Sequence, residues 1–266
     1  MTKAPPSSFV VRPTALKTWK AMDADLVNRL ISLNRDFYTT FADGFSATRT
    51  APWVGFAGLL PYLPDHCRVL DIGCGNGRLA HFLDGERRSI TYLGLDFSPR
   101  LLDLALQATE GLTNVAAEFR LADITRPDWT EAVPGQHFDG VLGLAVLQHI
   151  PSFELRLGIV RQAAALLRPG GVLAMSNWQF TSSERLAKKI VPWSEVGIDP
   201  RGLEEGDYLL DWRRGRVGYR YCHLVEEEEV GALAAGAGLE VVQTFRADGR
   251  EGNLNLYAVL SRPSAQ

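Results

Sequence analysis

The chain is poor in cysteine: Cys67, Cys74 and Cys222 are all it has, an odd number without a repeated spacing. That excludes a disulfide framework and fits a reducing compartment. It also lacks a long apolar run. The longest uncharged stretch, residues 50–64, is broken by Pro52, Pro61 and Pro64 and is too short to span a bilayer. The opening MTKAPPSSFVVRPTALKTWK holds no continuous apolar core of a signal peptide. A cytoplasmic protein without a membrane partner is expected. Nor is there an excess of charge, since 28 Lys and Arg against 31 Asp and Glu leave −3. No global field favours nucleic acid, and any polyanion must be held locally.

What remains is ordinary globular material, 46% apolar over 266 residues, enough for one large domain with extensions or two small ones. After a Pro- and Ser-bearing leader, Leu26, Leu30, Leu33, Phe37, Phe41 and Phe45 recur at steps of three and four, which predicts a long helix with one apolar face, capped by Asp23 or Asp25. From Arg68 onward short apolar runs alternate with helical patterns. VLDIG, YLGLD, EFRLAD, FDGVLGLA and VLAMS read as strands, with helices over Arg78 to Leu83, from Ser98-Pro99, and from about Ser152 to Leu167, the last stopped by Pro169-Gly170-Gly171. This alternation implies a parallel sheet with helices on both faces. A helix from Glu226 to Ala237 follows, then LEVVQTF and LNLYAVL joined by ADGREGN. So short a link forces the last strand antiparallel to its predecessor. Residues 178–222 break the rhythm and read as an insertion over the site. The expected division is a helical extension or lid over residues 1–50 and a main domain over 51–266.

In VLDIGCGNGRL, Gly73, Gly75 and Gly77 stand directly between a strand and a helix, where glycines allow a tight turn and close approach of a ligand to backbone N–H groups. The spacing departs from the dinucleotide fingerprint GxGxxG, because the third glycine falls one residue early and Arg78 takes its place. Asp71, two residues before the first glycine, is an awkward neighbour for a doubly negative pyrophosphate. It suits S-adenosylmethionine, which carries a sulfonium and an ammonium and no phosphate. Asp96 ends the second strand, with Phe97 beside it, where a carboxylate can accept from both ribose hydroxyls. Asp123 can accept from the adenine amino group, and Ile124 can pack on the ring.

VLDIGCGNG, GLDFSP, LADI and LLRPGG together resemble the successive motifs of class I S-adenosylmethionine-dependent methyltransferases, over most of residues 67–262. The resemblance implies the Rossmann-like seven-stranded sheet of that class. A narrower likeness joins it. FYTTFADGFSATRTAPW resembles the segment ahead of the glycine loop in the tRNA carboxymethyluridine methyltransferases that finish wobble-uridine modification, with Tyr38, Ala42, Phe45, Ser46, Thr48, Arg49, Pro52 and Trp53 in register. AVLQHI resembles that family's AVxHH, keeping His149 and placing Gln148 where the family has histidine. Trp178 follows the fifth strand, and YRYCHLVEEEEV retains Arg220, Tyr221 and His223, with Cys222 in place of a tyrosine and Val225 in place of an aromatic. The resemblance implies a tRNA acceptor, substrate contacts by Trp178, Arg220, Tyr221 and His223, and a small zinc-ribbon activator subunit as partner.

Methyl transfer is an in-line displacement at a sulfonium carbon, and positioning the nucleophile supplies most of the catalysis. An ionised carboxylate needs no general base; an amine, hydroxyl or ring nitrogen does, and His149, past the fourth strand, is the candidate. Arg49 and Arg220 present forks suited to carboxylate or phosphate. Tyr38 belongs to the lid over the cofactor. Arg213, Arg214, Arg216 and Arg220 interleave with Trp212, Tyr219 and Tyr221 as the most nucleic-acid-like patch, yet residues 178–222 carry eight basic and seven acidic side chains. His66, Cys67, Cys74 and His81 suggest zinc, but a strand between the cysteines would hold them roughly 15–20 Å apart, so no metal is expected. A small-molecule methyltransferase, a non-catalytic cofactor-binding module and, more distantly, an NAD-dependent dehydrogenase stay open as alternatives.

Overall fold

A computed structural model describes residues 19–263; the leader, residues 1–18, lies outside them. Helix α1 (Ala24–Ser46) is capped by Asp23, whose carboxylate accepts from the Asp25 and Leu26 amides. Leu30, Asn34, Phe37, Tyr38 and Ala42 form its buried face. A 3-10 segment, Val54–Tyr62, leads into the sheet domain.

That domain runs β1 (Arg68–Ile72), α2 (Arg78–Gly85), β2 (Ile90–Asp96), α3 (Pro99–Ala108), β3 (Val115–Leu121), β4 (Phe138–Leu144), α4 (Phe153–Ala165) and β5 (Leu167–Trp178). Helix α5 (Glu184–Ala187), β6 (Ile190–Val191), β7 (Asp207–Arg214) and β8 (Arg216–His223) follow, and α6 (Glu227–Gly236), β9 (Glu240–Ala247) and β10 (Asn255–Ser261) complete it. The main sheet has the order β3-β2-β1-β4-β5-β10-β9. Its first five strands are mutually parallel, and β10 is antiparallel to both β5 and β9, as the short ADGREGN link requires. This is the class I methyltransferase sheet that the motif order implies. Chain order reverses between β1 and β4, so the loops leaving their carboxyl ends part and open a crevice there.

The strands read as continuous apolar runs because both faces are covered. Leu70, Ile72, Leu93, Val141 and Met175 pack with α4 and α6 residues such as Val160 and Leu233. Val69, Tyr92, Leu142 and Val259 pack with Leu79 and Leu83 of α2 and with Phe56 and Leu59. Pro169-Gly170-Gly171 ends no helix by itself; α4 stops at Ala165 and the tripeptide lies inside β5, where the register with β4 shifts between Phe138 and Gly140.

The insertion is more ordered than its weak periodicity suggests. It builds a second, antiparallel sheet β6-β7-β8, with β7 and β8 turning at Gly215 (φ 77°). Alternation is masked because this sheet turns polar side chains inward: Asp207, Asp211, Arg220 and His223 are all buried.

Three of its residues join an ionic cluster with the sheet domain. Arg156 of α4, wholly buried, donates through Nε to Glu229 (2.6 Å), through Nη2 to Glu204 (2.8 Å) and through Nη1 to the Ile150 carbonyl (2.9 Å). His223 bonds Asp207 at 2.7 Å and Glu229 at 2.8 Å, and Tyr221 Oη donates to Asp207 at 2.7 Å. Burial opposes a charge on His223, but the two carboxylates outweigh it and raise its pKa. Glu204, Asp207 and His223 have ligand atoms within 4.8 Å of one another, yet Glu204 already pairs with Arg156 and Asp207 with His223 and Tyr221. The cluster ties α4, the insertion and α6 together, and removing its central cation leaves buried carboxylates unpaired. Arg156→Ala is therefore expected to lower the unfolding free energy by about 3–5 kcal/mol in a denaturant titration.

Candidate active site

The cofactor side is built at the end of β1. Gly73, Gly75 and Gly77 all take positive φ (73°, 56° and 73°). A Cβ on Gly73 would lie 2.6 Å from Val146 Cγ2, whereas one on Gly75 would meet nothing within 4 Å, so the loop is tight at its first glycine and open to the crevice at its second. Gly73 and Cys74 donate to the Leu95 carbonyl. Gly75 and Ser98 donate to the two oxygens of Asp96, each at 2.9 Å. One bond on each oxygen leaves lone pairs for further donors.

These residues line a cavity of about 170 Å³ at the crevice. Asp71, Asp96, Phe97, Asp123 and Ile124 face it from the sheet, and Tyr38, Arg49, His149 and Trp178 from the other side. Asp71 is buried and accepts from Tyr92 Oη at 2.5 Å; among the described residues no cation pairs with it. Burial pushes its carboxyl up to about 7, and burial likewise raises Asp96 to about 6 despite the Ser98 and Gly75 amides. Two buried carboxylates short of positive charge fit a cationic ligand and repel a diphosphate. Asp123 is already engaged: Arg35 of α1 pairs with one oxygen, and the Thr125 amide and hydroxyl bond the other.

Across the cavity, Asn34 and Tyr38 sit one turn apart on α1 and meet the turn after β4. Tyr38 Oη bonds His149 Nε2 at 2.9 Å, and His149 Nδ1 lies 3.2 Å from the Tyr221 carbonyl. A carbonyl only accepts, so Nδ1 carries the hydrogen and Nε2 accepts from Tyr38. Burial, then the Arg220 charge, drive the His149 pKa down to about 3. Burial holds the Tyr38 phenol above its ordinary value. His149 is thus a neutral imidazole whose Nε2 is engaged by Tyr38. Gln148, standing where the resembled family has histidine, accepts the Trp178 amide at 2.6 Å and turns its NH₂ toward His149.

Arg220 is buried, 2% exposed, with its guanidinium 4.7 Å from the Trp178 ring centroid and 5.3 Å from that of Phe37. Its charge lies close to Tyr38, its side chain is not among those lining the cavity, and among the described residues its Nε and Nη1, like Trp178 Nε1, have no partner. Arg49 lies over the Phe45 ring and donates to Thr48 Oγ1 at 2.7 Å. Two sequence expectations are corrected. The side chains of Tyr221 and His223 do not reach the cavity; both point into the Arg156 cluster, because the alternation of β8 turns them to the opposite side from Arg220 and Cys222 or ties them to Asp207. The arginine patch is also partly neutralised, since Arg213 pairs with Asp211 and Tyr219 Oη donates to Glu195. Asn34 escaped the sequence reading, although a polar residue on an otherwise apolar helical stripe was the signal for it.

The methyltransferase domain family matches residues 48–244. The chain belongs to that family. It is similar to the mouse tRNA (carboxymethyluridine(34)-5-O)-methyltransferase ALKBH8, 29% identical over 53% of this chain and 19% of that protein. It is likewise similar to the ubiquinone biosynthesis O-methyltransferase of Pseudomonas aeruginosa, 29% identical over 65% of each chain. The matched region is thus under a third of the tRNA enzymes' length, 31% in the Arabidopsis thaliana relative. Among solved structures, a Methanosarcina mazei S-adenosylmethionine-dependent methyltransferase superposes with a TM-score of 0.59 at 23% identity, covering 77% of this chain and 96% of that one. The PH0226 protein of Pyrococcus horikoshii gives 0.61 at 16% identity over 86% and 99%. The protein is a class I S-adenosylmethionine-dependent methyltransferase, and the anionic wall of its crevice fits that cationic donor.

When bound, S-adenosylmethionine supplies an electrophilic methyl group on a sulfonium. Asp71 must be ionised to favour such a cation, so donor affinity falls as pH drops below about 7. Titration calorimetry is expected to show a roughly tenfold rise in Kd from about pH 8 to about pH 6. A carboxyl raised in the fold contributes stability below its unfolded pKa and loses it as pH rises through the folded value. Asp71→Asn should therefore melt higher than the parent near pH 8 while losing donor affinity and its pH dependence.

Proposed function

We propose that this methyltransferase esterifies an ionised carboxylate, carried by a modified wobble uridine of tRNA. The single observation that carries the reading is the positive charge beside the cavity: buried Arg220 lies against Trp178, which lines the cavity, and among the described residues two Arg220 nitrogens and Trp178 Nε1 have no partner. Such an arrangement is paid for by an incoming oxyanion, since buried unpaired donors are costly. A carboxylate has no proton to remove, which agrees with an imidazole at His149 too acidic in its conjugate acid to act as base. In this reading Trp178 meets the acceptor with the Arg220 charge beside it, Arg49 flanks it from the lid, and His149 orients Tyr38.

The cofactor roles follow the same division. Asp71 faces the positive end of the donor, Asp96 accepts from the ribose hydroxyls beside Phe97, and Ile124 packs on the adenine. Asp123 reaches the adenine amino group once Arg35 shares or releases it. The cytoplasm is the compartment proposed.

Support for tRNA comes from the ALKBH8 relatives together with the placement of Tyr38, Arg49, His149 and Trp178 around one cavity. A second reading, a small-molecule carboxylate, is favoured by two observations. The ubiquinone-biosynthesis relatives align over more of the chain, and Asp211 and Glu195 offset the cationic hairpin. A non-catalytic donor-binding module would leave the acceptor wall without use.

Labelled methyl donor incubated with total tRNA and, separately, with low-molecular-mass extract distinguishes these readings. Label in tRNA is expected; label only in the small pool would retire the tRNA acceptor, and label in neither would favour the binding module. The reaction is run with the chain alone and with a zinc-ribbon subunit added, which tests that partner. With the true acceptor, Arg220→Ala should lower kcat/KM about 100-fold with donor Kd within about twofold. At saturating donor, kcat should stay level between about pH 6 and about pH 9, because His149 does not titrate there.

A further inference from the structure

Asn is a poor residue for a helix interior, since its side chain competes for backbone hydrogen bonds. Asn34 nevertheless lies near the middle of α1 and is 6% exposed. A buried amide is tolerated where its bonds are made. Its Oδ1 accepts from the Tyr221 amide at 2.8 Å, and its Nδ2 donates to the Tyr221 carbonyl at 3.2 Å and to the His149 carbonyl at 2.9 Å. The small sheet ends at β8. Asn34 thus takes both peptide groups of Tyr221 on an edge strand, as a neighbouring strand would.

The same Tyr221 carbonyl receives His149 Nδ1–H. From there a directional chain runs back to the cavity: Tyr38 Oη–H donates to His149 Nε2, and His149 Nδ1–H to the Tyr221 carbonyl. Every hydrogen in the chain is oriented by the bond at its end, and such chains polarise in one sense. Asn34 sits at that end and also grips the His149 peptide, while Tyr38, four residues on along the same helix face, grips the ring.

We infer that Asn34 is a positioning residue: by holding the Tyr221 peptide and the His149 turn, it fixes the Nδ1–H tautomer of His149 and, with it, the direction of the Tyr38 hydroxyl at the cavity. Asn34 touches no reacting atom in this scheme. The functional consequence rests on the carboxylate reading, but the tautomer does not.

The test is therefore read first without any acceptor. Nitrogen-15 spectra of labelled protein should show His149 bare at Nε2 and protonated at Nδ1 in the parent. Asn34→Ala should mix the tautomers, and Asn34→Asp, which keeps the shape but replaces the donor by an oxygen facing two carbonyls, should do so as well. Either variant with unchanged His149 signals overturns the inference. Titration with S-adenosylmethionine monitors folding, with Kd expected within about threefold of the parent. Since the spectra need only one folded variant, loss of donor binding in both would mark Asn34 as structural and also overturn it. With an acceptor in hand, KM should rise about tenfold or more with kcat changed less. If the tautomer shifts but no carboxylate acceptor is found, the carboxylate reading fails and the role of Asn34 stands.

Discussion

The acceptor side depends on the burial of one imidazole. His149 sits where α1, the turn after β4 and strand β8 meet, and a charged ring there would face Arg220 without a carboxylate beside it. Desolvation and that like charge keep the ring neutral. A neutral ring has one donor and one acceptor nitrogen, and the carbonyl at Nδ1 decides which is which. The orientation of Tyr38 follows, and with it the environment of Arg220. A site assembled this way can orient groups and exclude water, but it has little capacity to take up a proton.

The two halves of the crevice are electrically opposed. On the sheet side, Asp71 and Asp96 are carboxylates whose raised pKa values express a shortage of positive charge. On the other side, Arg220 lies against Trp178, with two nitrogens that have no partner among the described residues. A cationic donor of methyl groups against one wall and an anionic acceptor against the other would relieve both, and would draw the two substrates together. The arrangement costs the free protein stability on each side, as functional sites commonly do. The Arg156 cluster, by contrast, is closed on itself; it holds the insertion in place so that β8 sets Arg220 against Trp178 and the Tyr221 peptide against His149.

The sheet was legible in the sequence because strands covered on both faces must be apolar throughout, and glycines at alternate positions after β1 mark a turn that other residues cannot make. The placement of Asp71 and Asp96 was legible for the same reason: they fall at or next to the ends of strands whose limits the pattern defines. The insertion was not, because Asp207, Asp211, Arg220 and His223 point inward and erase the alternation that identifies a strand. Nor could the sequence separate Arg220 from Tyr221 and His223, which share a motif but face different surroundings. The burial of His149 was not legible either, since it is set by neighbours distant in the chain. Asn34 lay in plain view on an apolar stripe, but only its partners on β8 show what it does.

The central claim is that the transferred methyl ends on a carboxylate oxygen, and the stability of the product to alkali tests it most directly. A methyl ester releases its label as methanol in mild base, whereas methyl groups on phenolic oxygen, nitrogen or carbon do not. The account predicts that nearly all label transferred by the protein becomes volatile under mild alkali; label that stays with the product would contradict it.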